Sequence, residues 1–213
     1  ADQWSRNEPE DAVKWAESLT IEGKTQAIEE AVENWVRKDT DAAVAYMDNM
    51  DQGERDDIMK EVVEQWGRKG AEFQPAAADW VAAQPEGKGK VDATGEIVGQ
   101  WMRSDAEAAS TWLGELPEGD AKDRGITALL RDRSVREDPE LAVAWADSIA
   151  NQEMRSEQVE RSARSWLASD RAAALEYLEQ SNSLSAEQKT ELINLSPEEL
   201  NRGRDREGWR GRG

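Results

Sequence analysis

The chain has 213 residues, with 46 Asp+Glu against 27 Lys+Arg for a net charge of −19, ten Trp, two Tyr, one Phe, and neither His nor Cys. Lacking those two residue types, it has no means of building a catalytic triad, a Cys nucleophile, a structural zinc site, an iron–sulfur cluster or a disulfide framework. The acidity argues against a nucleic-acid-binding body, since phosphate neutralisation needs clustered Lys and Arg, and no apolar run is long enough to span a membrane.

The chain opens Ala1-Asp2-Gln3, which reads as the product of a signal peptidase cutting after a small residue, so the expectation is a mature extracellular or periplasmic protein. From Trp4 onward the aromatic residues fall on a lattice. The first series is Trp4, Trp35, Trp66, Trp101, Ser134 and Trp166, at spacings of 31, 31, 35, 33 and 32. A second series follows eleven residues later at Trp15, Tyr46, Trp112, Trp145 and Tyr177, with Trp80 joining if an insertion around Phe73 to Pro75 is allowed. Eleven of the twelve positions are aromatic, and Ser134 is the departure, read as a hinge, a docking pocket or drift. Between the two aromatics stands a constant small residue, Ala12, Ala43, Ala77, Ala109, Ala142 or Ala174. A period in the thirties is the signature of a stacked repeat.

Each unit reads as two helices. Glu8-Pro9, Asp39, Asp105, Asp138-Pro139 and Asp170 are start signals: the carboxylate meets free N–H groups and Pro sits where no donor is needed. Apolar positions such as Ala12, Trp15 and Leu19 then follow one helical face. Polar breaks at Thr20 to Gly23, Asp51 to Gly53 and Pro117 to Asp120 lead into a second helix carrying Ala27, Ala31 and Trp35, or Ile58, Val62 and Trp66, or Ala93, Ile97 and Trp101. One such pair does not bury its own aromatic face, so neighbours must share a core. The expected repeat core is Trp15, Trp35, Tyr46, Trp66, Trp80, Trp101, Trp112, Trp145, Trp166 and Tyr177.

The pattern Trp35-x3-Asp39-x3-Ala43-x2-Tyr46 and its copies resembles tetratricopeptide (TPR)-like helical repeats, in particular short Trp-rich variants found in bacterial proteins. The resemblance covers about 190 of 213 residues. It implies an all-α, right-handed TPR-like α-solenoid of about six helix pairs of 31–35 residues, working through protein–protein interaction without catalysis.

Other motifs carry little chemistry. Glu17, with Asp48, Glu115 and Asp147 as counterparts, is read as a repeated solvent-facing carboxylate rather than the acid of a glycan-cleaving enzyme. Asp51 to Asp57 lacks the ligand spacing of a calcium loop and reads as a turn plus an acidic helix start. Gly87-Lys88-Gly89-Lys90 reads as a two-Lys turn, without the residues of a phosphate loop. No cofactor or metal is expected.

Residues 1–200 are expected to form the helical array and 201–213 a basic tail. That tail holds Arg202, Arg204, Arg206, Arg210 and Arg212 against Asp205 and Glu207, a net +3 that leaves −22 on the rest. It also carries Trp209, off the lattice, and Trp and Arg are the residues enriched at binding hot spots. The first unit, opening at Trp4, lacks a preceding helix, and Ser196-Pro197-Glu198-Glu199-Leu200 starts a helix that stops within a turn. The expectation is therefore a non-enzymatic array that self-assembles head to tail into an extracellular filament, through Trp4, Arg202, Arg204, Arg206, Trp209, Arg210 and Arg212. The alternative is a monomeric scaffold binding a basic peptide or protein.

Overall fold

The computed structural model describes residues 7–20 and 23–200. Every regular element among them is helical, and contacts gather the chain into two compact units, Ala1–Leu116 and Pro117–Gly213. The first contains α1 (Pro9–Glu17), α2 (Lys24–Lys38), α3 (Thr40–Met47), α4 (Gln52–Gly67), α5 (Gln74–Ala83), α6 (Lys88–Trp101) and α7 (Ala106–Glu115). The long helix α2 packs on α4 and α4 on α6, while the short helices α1, α3, α5 and α7 lie against these long ones. The second unit contains α8 (Asp120–Leu129), α9 (Arg133–Arg136), α10 (Pro139–Asp147), α11 (Gln152–Ser169), α12 (Arg171–Gln180) and α13 (Ala186–Asn194). There α11 is the central packing partner, touched by α10, α12 and α13.

The junction from long to short helix is encoded by one Asp. The Asp39 amide donates back to the Trp35 carbonyl at 2.7 Å, and its carboxylate accepts from the Ala42 amide at 3.1 Å. Asp170 repeats this with Trp166 at 2.8 Å and with Ala172 and Ala173 at 3.1 Å, and Asp105 with Trp101 at 2.8 Å and Ala108 at 3.0 Å. A single residue thus closes one helix and opens the next, satisfying orphan groups of both. Asp138 caps α10 through the Leu141 amide, with Pro139 in the first turn. Loss of such a cap costs about 1 kcal/mol.

The six lattice alanines are all buried. Trp35 stacks on Tyr46 with ring centroids 5.6 Å apart, Trp66 on Trp80 at 6.0 Å, Trp101 on Trp112 at 6.2 Å and Trp166 on Tyr177 at 5.7 Å, all tilted. Each pair therefore joins the end of a long helix to the short helix after it. Such ring pairs contribute about 0.5–1.5 kcal/mol beyond the area they bury.

Two irregularities have local causes. The insertion around Phe73 is a single 3-10 turn, Ala71–Phe73, running into α5. At Ser134 the long helix breaks after Leu129, and the short α9 restarts with Asp132 as its cap. Ser134 is exposed, and its amide and hydroxyl both donate to Asp132 Oδ1, at 2.9 and 2.6 Å. Val135 and Leu129 are buried beside it. With no aromatic ring to fill the lattice position, the chain turns early and places an aliphatic side chain in the core.

Gly87-Lys88-Gly89-Lys90 is not a turn. α6 begins at Lys88, and Gly89 and Lys90 are buried within it. A Cβ on Gly89 would lie 2.5 Å from Asp56 Cα and 2.9 Å from Asp56 O. Glycine here is a requirement of backbone approach between α4 and α6.

Candidate functional site

Within each unit the second aromatic series lies at the edge of the packed core rather than in its centre. Trp35, Trp66 and Trp101 are buried, whereas Trp166, Tyr46, Trp80, Trp112, Trp145 and Tyr177 are half-buried. Trp15 departs furthest: it is 46% exposed and does not belong to the core. In the units where ring pairs form, the stacking partner is the first-series aromatic; for Trp15 that position is Trp4, outside the described residues.

Rim position allows the polar ends of these rings to find acceptors, as a partly buried Tyr or Trp must. Tyr46 Oη donates to Glu17 Oε1 at 2.9 Å. Trp80 Nε1 donates to Asp48 Oδ1 at 3.0 Å, joined by Gln84 Nε2 at 3.2 Å. Tyr177 Oη donates to Asp147 Oδ2 at 2.8 Å, and Ser183 Oγ reaches Asp147 Oδ1 at 2.6 Å. Each acceptor stands two residues beyond the aromatic of one short helix and receives the ring of the next. Glu17 and Asp48 face solvent as expected and Asp147 is half-buried, and all three have a further role: they tie successive short helices together. Trp112 has Ala82 at the equivalent position, which offers no carboxylate.

Burial pushes the Tyr46 phenol well above its usual range, and the hydrogen bond to Glu17 adds to the shift. Burial likewise raises Tyr177; the Ser181 hydroxyl, donating to its oxygen, opposes the shift, and Asp147 reinforces it. Both groups stay neutral donors at ordinary pH. Glu17, the residue an acid–base mechanism would employ, is engaged in holding a ring.

A second carboxylate pattern emerges on the long helices. Burial raises the pKa values of Glu29 and Glu33 on α2; at Glu29 the like charges of Glu61 and Asp57 on α4 add to the shift, and at Glu33 Glu29, Glu61 and Glu64 add to it while Arg37 opposes it. Glu64 pairs with Arg68. None of Glu29, Glu33, Asp57 and Glu61 forms an ion pair or side-chain hydrogen bond with another described residue. Sequence reading counted these acids but did not place them together, since that needs the register between α2 and α4. Between α4 and α6 an open polar cavity of about 370 Å³ is lined by Glu64, Glu96, Gln74, Gln100, Arg68 and Arg103. Its floor is Gly67, where a Cβ would meet Gln100 Oε1 at 1.8 Å.

One buried acid serves the backbone. Asp123 is 2% exposed and accepts from the Ala150 and Asn151 amides, both at 2.8 Å, fixing the turn before α11. No group of three or more acidic residues among those described is arranged to hold a metal ion, the Asp51 to Asp57 segment included. No described helix is long and apolar enough to cross a membrane.

The residues expected at a subunit interface, Trp4, Arg202, Arg204, Arg206, Trp209, Arg210 and Arg212, lie outside the described residues. No protein-family model, curated protein or solved structure matches the chain.

Proposed function

We propose that the chain is a non-enzymatic protein–protein interaction array, a TPR-like solenoid of helix pairs that associates head to tail with further copies of itself. The observation that carries this reading is the division among its carboxylates. Asp39, Asp105, Asp138 and Asp170 cap helices, Glu17, Asp48 and Asp147 hold rings, and Asp123 fixes a turn. Glu29, Glu33, Asp57 and Glu61 have no such internal duty. Like charges gathered together cost stability, a cost that Arg37 offsets only in part at Glu33, and a cationic partner removes it.

The chain carries its own such partner in the five Arg of residues 201–213. Two different surfaces meeting between identical copies form a heterologous contact, which extends into a filament unless the rotation closes it. Light scattering over a concentration series tests the proposal. The mass should climb above 23.8 kDa with concentration; a constant monomer mass would instead favour a scaffold for a foreign basic peptide.

A further inference from the structure

Eleven residues before Trp35, Trp66, Trp101, Ser134 and Trp166 stands a charged residue in the first turn of its helix: Lys24, Arg55, Lys90, Asp123 and Arg155. Four of the five have a partner within the chain. Lys24 Nζ lies 3.8 Å from Glu54 Oε1, Lys90 Nζ lies 2.8 Å from Glu86 Oε1, Arg155 Nη1 donates to the Ile149 carbonyl at 2.9 Å, and Asp123 accepts from the Ala150 and Asn151 amides. Arg55 is the exception: its guanidinium makes no hydrogen bond and no ion pair with any described residue.

Arg55 is nevertheless only 7% exposed, level with the paired Lys90 at 6%. It continues the buried face of α4 that carries Ile58, Met59 and Val62 at steps of three and four residues, and its Nε is sealed from solvent without an acceptor. The acids nearest in sequence are directed elsewhere. Glu54 faces Lys24, and Asp56 places its carboxylate against Gly87 and Gly89 at the start of α6. Asp51, in the place that Glu86 holds before Lys90, is one methylene shorter and makes no ion pair with Arg55. A guanidinium does not shed its proton, so burial without an acceptor leaves a full charge poorly solvated, which is costly.

We propose that Arg55 binds a small monovalent anion, of the size of chloride or formate, which supplies the acceptor that Lys24, Lys90 and Arg155 find within the chain. Adjacent N–H groups of a guanidinium form a fixed fork that matches the two oxygens of a carboxylate or converges on one halide. An opening that leaves 7% of the residue exposed admits an ion of a few atoms rather than a bulky one. A single charge is favoured because Asp51, Glu54 and Asp56 flank the site in sequence and the chain carries −19, so a second negative charge meets added repulsion. The site lies within one copy of the chain and does not depend on the self-association proposed above.

Thermal unfolding of the full chain at constant ionic strength tests the proposal, with a bulky organic sulfonate as the starting anion, replaced stepwise by chloride or by formate. The parent's midpoint should rise by about 2–4 °C and level off as the site fills. Arg55→Met should begin above the parent in sulfonate, because an apolar side chain then replaces a buried charge without a partner, and it should not rise further. Lys90→Met removes the same charge from the equivalent position and should respond to both anions as the parent does, since Arg55 is intact. The chlorine NMR line of added chloride should be broadened more by the parent than by Arg55→Met, and formate should narrow it again. If Arg55→Met does not fold, Arg55→Gln replaces it, with the same loss of response to both anions.

A parent midpoint indifferent to the anion, or a rise of the same size in the Arg55 variant, overturns the site. An Arg55→Met chain that melts below the parent in sulfonate does so too, since it would show that Arg55 already has its partner within the chain. None of these results bears on self-association, which is read from the mass.

Discussion

Tyr177 Oη donates a 2.8 Å hydrogen bond to Asp147 Oδ2 across thirty residues of sequence, linking short helix α12 to short helix α10. The same link joins Tyr46 to Glu17 and Trp80 to Asp48. Hydrogen bonds to a charged acceptor contribute about 1.5–3 kcal/mol when well formed, less where water competes. Tyr177→Phe, which keeps the ring stacked on Trp166, should therefore lower stability by about 1–2 kcal/mol in urea unfolding. Asp147→Ala should cost more, because it also removes the acceptor of Ser183. The double variant should lose less than the sum of the two; strict additivity would show that the bond does not couple the helices.

Two glycines of α6 should respond oppositely to the same substitution. A Cβ on Gly89 would lie 2.5 Å from Asp56 Cα, so Gly89→Ala forces α4 and α6 apart and should cost about 1–3 kcal/mol, as overpacking does. Gly99 has nothing within 4 Å of an added Cβ. There Gly99→Ala removes only backbone freedom and should stabilise by about 0.5–1 kcal/mol. Thermal unfolding of the two variants beside the parent checks both signs, and a stabilising Gly89→Ala would contradict the close approach.

These residues also show what sequence reading can reach. Helix starts at Asp39, Asp105, Asp138 and Asp170 were legible because capping is decided within four residues. The buried alanines were legible because a small residue recurring in register with aromatics marks a place where two helices approach closely. The ties from Tyr46, Trp80 and Tyr177 were half visible. Their acceptors stood in plain view two residues beyond an aromatic, yet the pairing depends on how successive short helices stack. Gly89 was misread because the local preference of Gly for turns outweighed a packing requirement written on another helix. The exposure of Trp15 was hidden for a similar reason, since the degree of burial at a lattice position depends on how the elements around it pack. The carboxylates of α2 and α4 were counted in the composition but not located, because their proximity is a matter of helix register.

The acids between α2 and α4 give stability a pH dependence of definite sign. Burial and mutual repulsion raise the folded-state pKa values of Glu29 and Glu33 above the ordinary Glu value of 4.5. Over the window from that value up to the raised one, the folded chain binds more protons than the unfolded chain. Stability contributed by these groups therefore falls as pH rises through the window and is regained on acidification. Urea midpoints should move upward as pH is lowered from 7 toward the ordinary Glu value of 4.5. In Glu29→Gln with Glu33→Gln the midpoint at pH 7 should lie above the parent's, and its dependence on pH should flatten. The general repulsion of a chain of −19 acts in the same direction, so the comparison between parent and variant is the decisive measurement. Equal slopes for the two would mean that Glu29 and Glu33 titrate as ordinary surface carboxylates.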